Sequence, residues 1–288
     1  MKLRTPFRTA VLALIWGWMI VFVFLPNLLV IATSFLTRDD VHFIRLEGSL
    51  ASYARLLDPV YAGVFTHSLY MALVTTGLCL LIGYPFAYIV SRLPQRHKPL
   101  LIFLVILPFW TNSLVRTYAM KLLLSANGLI NQFLLGVGVI DAPLRMLYTE
   151  GAVIAGLVYV LLPFMILPLY AIFEQLRVDL LDASADLGAG RWRTFRYVVL
   201  PLTMPGVIAG CLLVLIPAVG MFYVADVLGG AKNLLVGNVI KSQFLDARDW
   251  PFGAAASIGL TVAMGLLLYA YYWSVRLARH RGEHGALA

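Results

Sequence analysis

The chain is 288 residues long, 61% hydrophobic and only 12% charged, with a mean hydropathy of +0.87. A soluble domain of this size needs far more charge to cover its surface, so the composition excludes that class and points to a polytopic membrane protein. The formal net charge of +8 would suggest nucleic acid on a soluble surface; in a membrane protein it first asks which side the basic residues face.

Six apolar runs are long enough to cross about 30 Å of hydrocarbon at about 1.5 Å per residue. They lie near 11–35, 65–90, 100–124, 151–173, 206–227 and 254–278. Their continuity excludes the alternating pattern of barrel strands. The expectation is an all-α fold of six transmembrane helices in one domain over 1–288. The basic start (Lys2, Arg4, Arg8) resembles a signal peptide's first region. The run behind it is too long for such a peptide and no small-residue cleavage site follows, so it reads as an uncleaved first span.

With an inward N-terminus, the inward segments carry these three residues together with Arg92, Arg96, Lys98, Arg177, Arg191, Arg193, Arg196, Arg276, Arg279 and Arg281. These are thirteen of the 22 Lys and Arg, against five of the 14 acids. The basic excess therefore lies on one side. That predicts a multi-pass bacterial inner-membrane protein with both termini and the loop 174–205 in the cytoplasm, and needs no nucleic acid. The outward segments 36–64, 125–150 and 228–253 are either solvated loops or contacts for an external partner. Prolines recur inside the spans (Pro26, Pro85, Pro108, Pro163, Pro168, Pro217). Such residues are tolerated where neighbouring helices or a water-lined cavity satisfy the freed carbonyls.

The longest polar interruption of the second half is Asp182-Ala183-Ser184-Ala185-Asp186-Leu187-Gly188, running on to Val198-Val199-Leu200-Pro201. Its first part is small and polar enough to enter a protein groove, and Gly188 lets the chain bend. In its second part Trp192, Phe195 and Val199 form an apolar stripe flanked by Arg193 and Arg196, which suits an interfacial helix on anionic lipid. The stretch resembles the EAA loop of ABC-importer permeases: E-A-A, three residues, G, nine residues, I-x-L-P. Asp182-Ala183-Ser184, Gly188 and Val198-Val199-Leu200-Pro201 stand at matching spacing, with Asp for Glu and Ser for the second Ala. The resemblance implies a type I permease fold. It also implies that Asp182, Ala183, Ser184, Asp186, Gly188, Leu200 and Pro201 belong to a coupling loop that docks on an ATPase.

Further stretches are similar to the polyamine (spermidine/putrescine) branch of that family: Phe24-Leu25-Pro26-Asn27, Thr33 to Asp40, Leu107 to Leu114, Asn238-Val239-Ile240 and Asp249-Trp250-Pro251-Phe252-Gly253. That likeness implies a homologous second permease, two copies of an ABC ATPase subunit and a periplasmic polyamine-binding protein. The chain itself has no phosphate-binding loop and no metalloprotease or serine-hydrolase motif, so it is not expected to be an enzyme. ATP and Mg are expected on the partner ATPase, and no cofactor on this chain. Cys79 and Cys211 both sit in apolar runs, and neither a disulfide framework nor a metal site is expected. His280 and His284 share a metal-compatible spacing in the basic tail, where a frayed end is the simpler reading.

For the substrate pathway the candidates are the polar residues inside the spans. Trp110 and Asn112 interrupt the third, and Phe222, Tyr223 and Asp226 close the fifth. The last three fall at spacings of three and four, so one helical face can carry them. A carboxylate beside aromatic rings suits an ammonium ion, each cation–π contact adding about 0.5–2 kcal/mol. Two other classes stay open on the residues alone: a permease of the same architecture for another small solute, and a stand-alone secondary transporter or channel.

Overall fold

The structure, a computed structural model, describes residues 5–39, 43–177, 179–230 and 233–285, the side chains of 5–6, 270–272 and 274–285 excepted. Lys2, Arg4, Asp40 and Lys232, and the side chains of His280, His284 and the tail arginines, lie outside it. The chain divides into two compact units, 1–63 with 239–288, and 64–238.

In the first unit, α1 (Thr5–Met19) and α2 (Leu25–Ser34) are joined by a π turn at Ile20–Phe24, so that one continuous helix, Phe7–Ser34, is long and apolar enough to span. A short antiparallel hairpin follows, β1 (Leu36–Thr37) with β2 (Arg45–Gly48), the one sheet among the described residues. Then comes α3 (Ala51–Leu56). After α13 (Val236–Leu245), the last helix, α14 (Trp250–Gly285), packs against α2 and α3. Its start is fixed locally: Asp249 caps it, with Oδ1 accepting from the Phe252 N–H at 3.2 Å, and Pro251 sits in the first turn where no donor is needed. The same Asp249 is buried and receives Arg55 Nη1 at 2.7 Å. The Arg55 guanidinium lies 4.2 Å from the centre of the Phe252 ring, and its Nη2 donates to Tyr61 Oη at 3.0 Å. Burial lowers the affinity of Arg55 for its proton, but Tyr61 and Asp249 more than offset this and hold its pKa above the ordinary value.

The second unit is built on α4 (Pro59–Arg92, from Val64 on), α8 (Glu150–Gln175) and α11 (Leu200–Gly220). Gly206 and Gly210 are four apart on α11. A Cβ at Gly206 would lie 2.9 Å from Ile172 and 3.1 Å from the Pro168 carbonyl oxygen; at Gly210 it would lie 2.6 Å from the Met165 sulfur. This is the small-xxx-small pattern that lets membrane helices approach closely. Tyr84 of α4 ties the three together, with its ring edge-on to Phe173 and its hydroxyl 2.9 Å from Thr203 Oγ1.

Two expected spans differ from the sequence reading. The third is not one straight helix. α5 (Lys98–Ile106) runs into a 3-10 turn at Leu107–Trp110, and the chain then bends by 95° into α6 (Ser113–Leu124) and α7 (Leu129–Gly136). Pro108 removes a donor, Thr111 is extended, and Asn112 restarts the helix by accepting the Leu114 N–H at 2.8 Å. The fifth begins earlier and ends sooner than 206–227. Helix continues from Arg191 to Gly220, because a π turn at Phe195–Val199 carries α10 (Arg191–Thr194) into α11. Pro201 lacks the N–H that an α-helix would direct to Tyr197, and the wider turn just before it absorbs that loss. The helix stops at Gly220, where the returning chain crosses so closely that a Cβ on Gly237 would meet the Gly220 carbonyl oxygen at 2.5 Å.

Candidate functional site: a coupling loop and a polar break in the spans

The polar loop forms α9 (Asp179–Asp186). Asp179 and Asp182 fall in its first turn, where negative charge complements the helix dipole. Asp182, Ala183, Asp186 and Leu187 are exposed, and Ser184 is buried. The Ser184 hydroxyl lies 2.7 Å from the Leu181 carbonyl oxygen and 3.0 Å from Thr194 Oγ1, tying α9 to α10. A serine in place of the family's second alanine therefore has a task here. Gly188 ends the helix at φ +76°, a conformation that favours glycine. Its N–H bonds the Ala185 carbonyl, and the Ala189 N–H bonds that of Ser184 at 3.0 Å.

Beyond it, Trp192 stacks on Phe195 at 5.5 Å between centroids, and Val199 is buried. Between this segment and α4 lies a largely apolar cavity of about 820 Å³, floored by Tyr84, Pro85 and Tyr88. Leu200 and Pro201 stand at the start of α11, in the same continuous helix as Arg191. What the sequence treats as a separate interfacial helix is a rigid extension of the fifth span. The face that α9 presents is short and acidic, with Leu180 near its start and Leu187 just past its end as its exposed bulky residues.

At the other end of α11, Phe222, Tyr223 and Asp226 do not continue the span. They follow the break at Met221, in α12 (Phe222–Val224) and a π turn at Ala225–Gly229. They still share one side: Phe222 and Asp226 are exposed and Tyr223 half-buried, while Val224, Ala225, Val227 and Leu228 are buried. The Phe222 and Tyr223 rings meet edge to face at 6.2 Å. Asn238 organises this patch. Its amide donates to the Asp226 carboxylate and, at 3.1 Å, to the Phe222 carbonyl, while its oxygen accepts the Leu235 N–H at 2.9 Å. Next to it the Val236 N–H bonds Ser68 Oγ at 2.8 Å. Trp110 lies on the rim of the 95° bend, 73% exposed and edge-on to Phe103. The oxygen of Asn112 is committed to the cap of α6.

Nothing in the local sequence marks Asn238 for this role. The same holds for the Lys98–Glu174 pair, Nζ to Oε1 2.7 Å, and the Arg55–Asp249 pair. Only long-range pairing reveals these two. The closely packed glycines of α11 did carry a readable signal in their spacing of four.

Residues 3–281 match the model of the family described as binding-protein-dependent transport system inner membrane components. The chain belongs to this family, and is thus a multi-pass permease of the bacterial inner membrane rather than an enzyme. It is 57% identical over 277 residues to the spermidine/putrescine transport system permease protein PotB of Salmonella typhimurium, covering 96% of each chain. With PotB of Escherichia coli it shares 58% over 267 residues, 93% of this chain and 97% of that one. A third relative, the inner membrane ABC transporter permease protein YdcU of Escherichia coli, is 32% identical over 81% of this chain and 79% of its own. Among solved structures, the fold matches a bacterial ABC transporter involved in the import of the polysaccharide alginate, with a TM-score of 0.74, 18% identity and coverage of 95% and 96%.

Proposed function

We propose that this chain is the permease subunit of an ATP-driven importer that moves polyamines, spermidine or putrescine, into the cytoplasm by alternating access. The observation that carries the substrate class is the 57% identity to a spermidine/putrescine permease over 96% of both chains. The coupling role rests on α9: a short exposed helix with Asp182, Ala183 and Asp186 outward, held by Ser184 and closed by Gly188.

In this reading both termini and α9 face the cytoplasm, as the distribution of Lys and Arg favours. The partners are a homologous second permease, two copies of an ABC ATPase that bind ATP and Mg, and a periplasmic polyamine-binding protein. When the ATPases close, they push on α9. Ser184–Thr194 passes the push to α10, and the unbroken helix Arg191–Gly220 carries it to the Asp226 patch. A polycation crossing hydrocarbon bare is costly, about 2.5–3.5 kcal/mol per charge even on insertion scales. A pathway lined by Asp226, Phe222, Tyr223, Trp110 and Asn112 lowers that cost by charge and ring contacts.

The test is uptake of labelled spermidine and putrescine by cells whose own polyamine importers are deleted and which express this complex. Saturable uptake that unlabelled polyamines abolish and amino acids do not is the expected result. Uptake competed only by another solute would replace the substrate, and uptake by the chain reconstituted alone would remove the ATPase from the reading.

A further inference from the structure

Lys98 is the first residue of α5, and Glu174 lies in the last turn of α8. Each stands where its own helix disfavours it: a cation at the positive N-terminal end, an anion at the negative C-terminal end. Neither helix gains from the residue it carries. Together they form an ion pair of 2.7 Å, with the Lys98 side chain 11% exposed and that of Glu174 31%. A lysine so buried persists only with a partner. The pair therefore exists for the joint between the two helices.

The position of that joint is informative. A few residues after Glu174 the chain enters α9, which begins at Asp179. From Lys98, α5 leads to Trp110 and the 95° bend. At that far end the third span touches α8 again, where Phe109 meets Phe164 edge-on at 5.0 Å. Between these two ties the α5 and α8 backbones approach little. The arm Lys98–Trp110 is thus fastened to α8 at both ends, once by charge and once by rings, and past the bend α6 packs on α8 as well.

We propose that the Lys98–Glu174 pair is the strut that passes movement of α9 into the third span and so repositions the Trp110–Asn112 break. The inference rests on the coupling role given to α9 above. Lys98 and Glu174 are positioning residues; they touch no substrate. With the pair intact, displacement of the α8 end draws Lys98 with it, and α5 pivots about Phe109–Phe164. Without it, α8 moves and α5 does not follow.

The test uses the whole complex with its ATPase subunits and binding protein, carrying Thr111→Cys at the bend. Its labelling by a water-soluble maleimide is followed with and without ATP, the unaltered chain with its native Cys79 and Cys211 giving the background. Two pair variants are compared. Lys98→Met with Glu174→Gln keeps volume and removes both charges, a change that buried pairs often tolerate without loss of stability. Lys98→Glu with Glu174→Lys restores the pair with each charge on the end its helix favours. The expected result is an ATP-dependent change in labelling rate that falls about fivefold or more in the neutral variant, the lower range for coupled sites, and returns in the swapped one. A merely stabilising pair would alter yield or melting temperature and leave the ATP response intact. An unchanged response in the neutral variant, an assembled swap that does not recover it, or no response in the complex with the native pair each overturns the strut. No polyamine enters this readout, so a failure of polyamine uptake would overturn the substrate alone.

Discussion

Gly188 offers a perturbation whose cost can be worked out from its surroundings. It closes α9 at φ +76°, where an L-residue loses about 1–2 kcal/mol. A Cβ there would meet nothing within 4 Å, so within this chain Gly188→Ala pays for backbone conformation alone. At about 1–2 kcal/mol the closed helix end loses a factor of about 5–30 against its open forms. Asparagine tolerates the same conformation, so Gly188→Asn keeps the turn while adding bulk. Amide exchange at Leu187, Gly188 and Ala189, whose N–H groups close the turn, should speed up by that factor in Gly188→Ala and change little in Gly188→Asn. If α9 docks closely on an ATPase, Gly188→Asp loses both uptake and ATPase subunits during purification, because a charged group then stands in the interface. Wild-type exchange in Gly188→Ala would refute the conformational account. Full retention of ATPase by Gly188→Asp would remove this end of the loop from docking.

Three further outcomes follow from the packing and the charges. Gly210→Leu forces a side chain against Met165 and should lower the melting temperature in detergent, at a cost of about 1–3 kcal/mol, whereas Gly77→Ala, with nothing within 4 Å in the interior of α4, should not lower it. Arg55→Met strands the buried Asp249 carboxylate and should cost about 1–3 kcal/mol in thermal unfolding, below the full value of a buried pair because Arg55 is itself 45% exposed. The raised pKa of Arg55 means that its charge is lost only as pH rises through that raised value, so no loss is expected across neutral and mildly alkaline conditions. Asp226→Asn should reduce polyamine uptake with the complex still assembled, and wild-type uptake would take Asp226 out of the pathway.

The spans are legible because hydropathy over twenty residues is a strong signal: α8 begins and ends within two residues of its apolar run, while α4 and α14 run several residues beyond theirs. The loop was legible for a different reason: small residues, a glycine and a run of charges between two apolar stretches fit few structures. The bend after Trp110 was half visible. Pro108 and Asn112 announced an interruption, but local sequence fixes no angle, and the 95° turn depends on what Phe109 and Phe103 pack against. The fifth span starts ahead of its apolar run because the π turn at Phe195–Val199 lets the helix run through Pro201, which hydropathy does not register. Asp249-Trp250-Pro251 contained a readable capping signal, an acid before a proline in the first turn. Lys98–Glu174 was beyond reach, since the partners are 76 residues apart and nothing in either neighbourhood names the other.

The stretch Lys98–Trp110 rises roughly 20 Å at about 1.5 Å per residue, well short of an oil layer about 30 Å deep. Where it stops, Pro108 and the extended Thr111 break the helix, and an irregular stretch at such depth survives only against protein or water. The hydroxyl of Thr111 folding back onto the Pro108 carbonyl at 2.8 Å covers part of that need. The remainder must be met by a neighbouring protein surface or by water at the level of Trp110, so the lipid tails themselves are kept off this part of the chain.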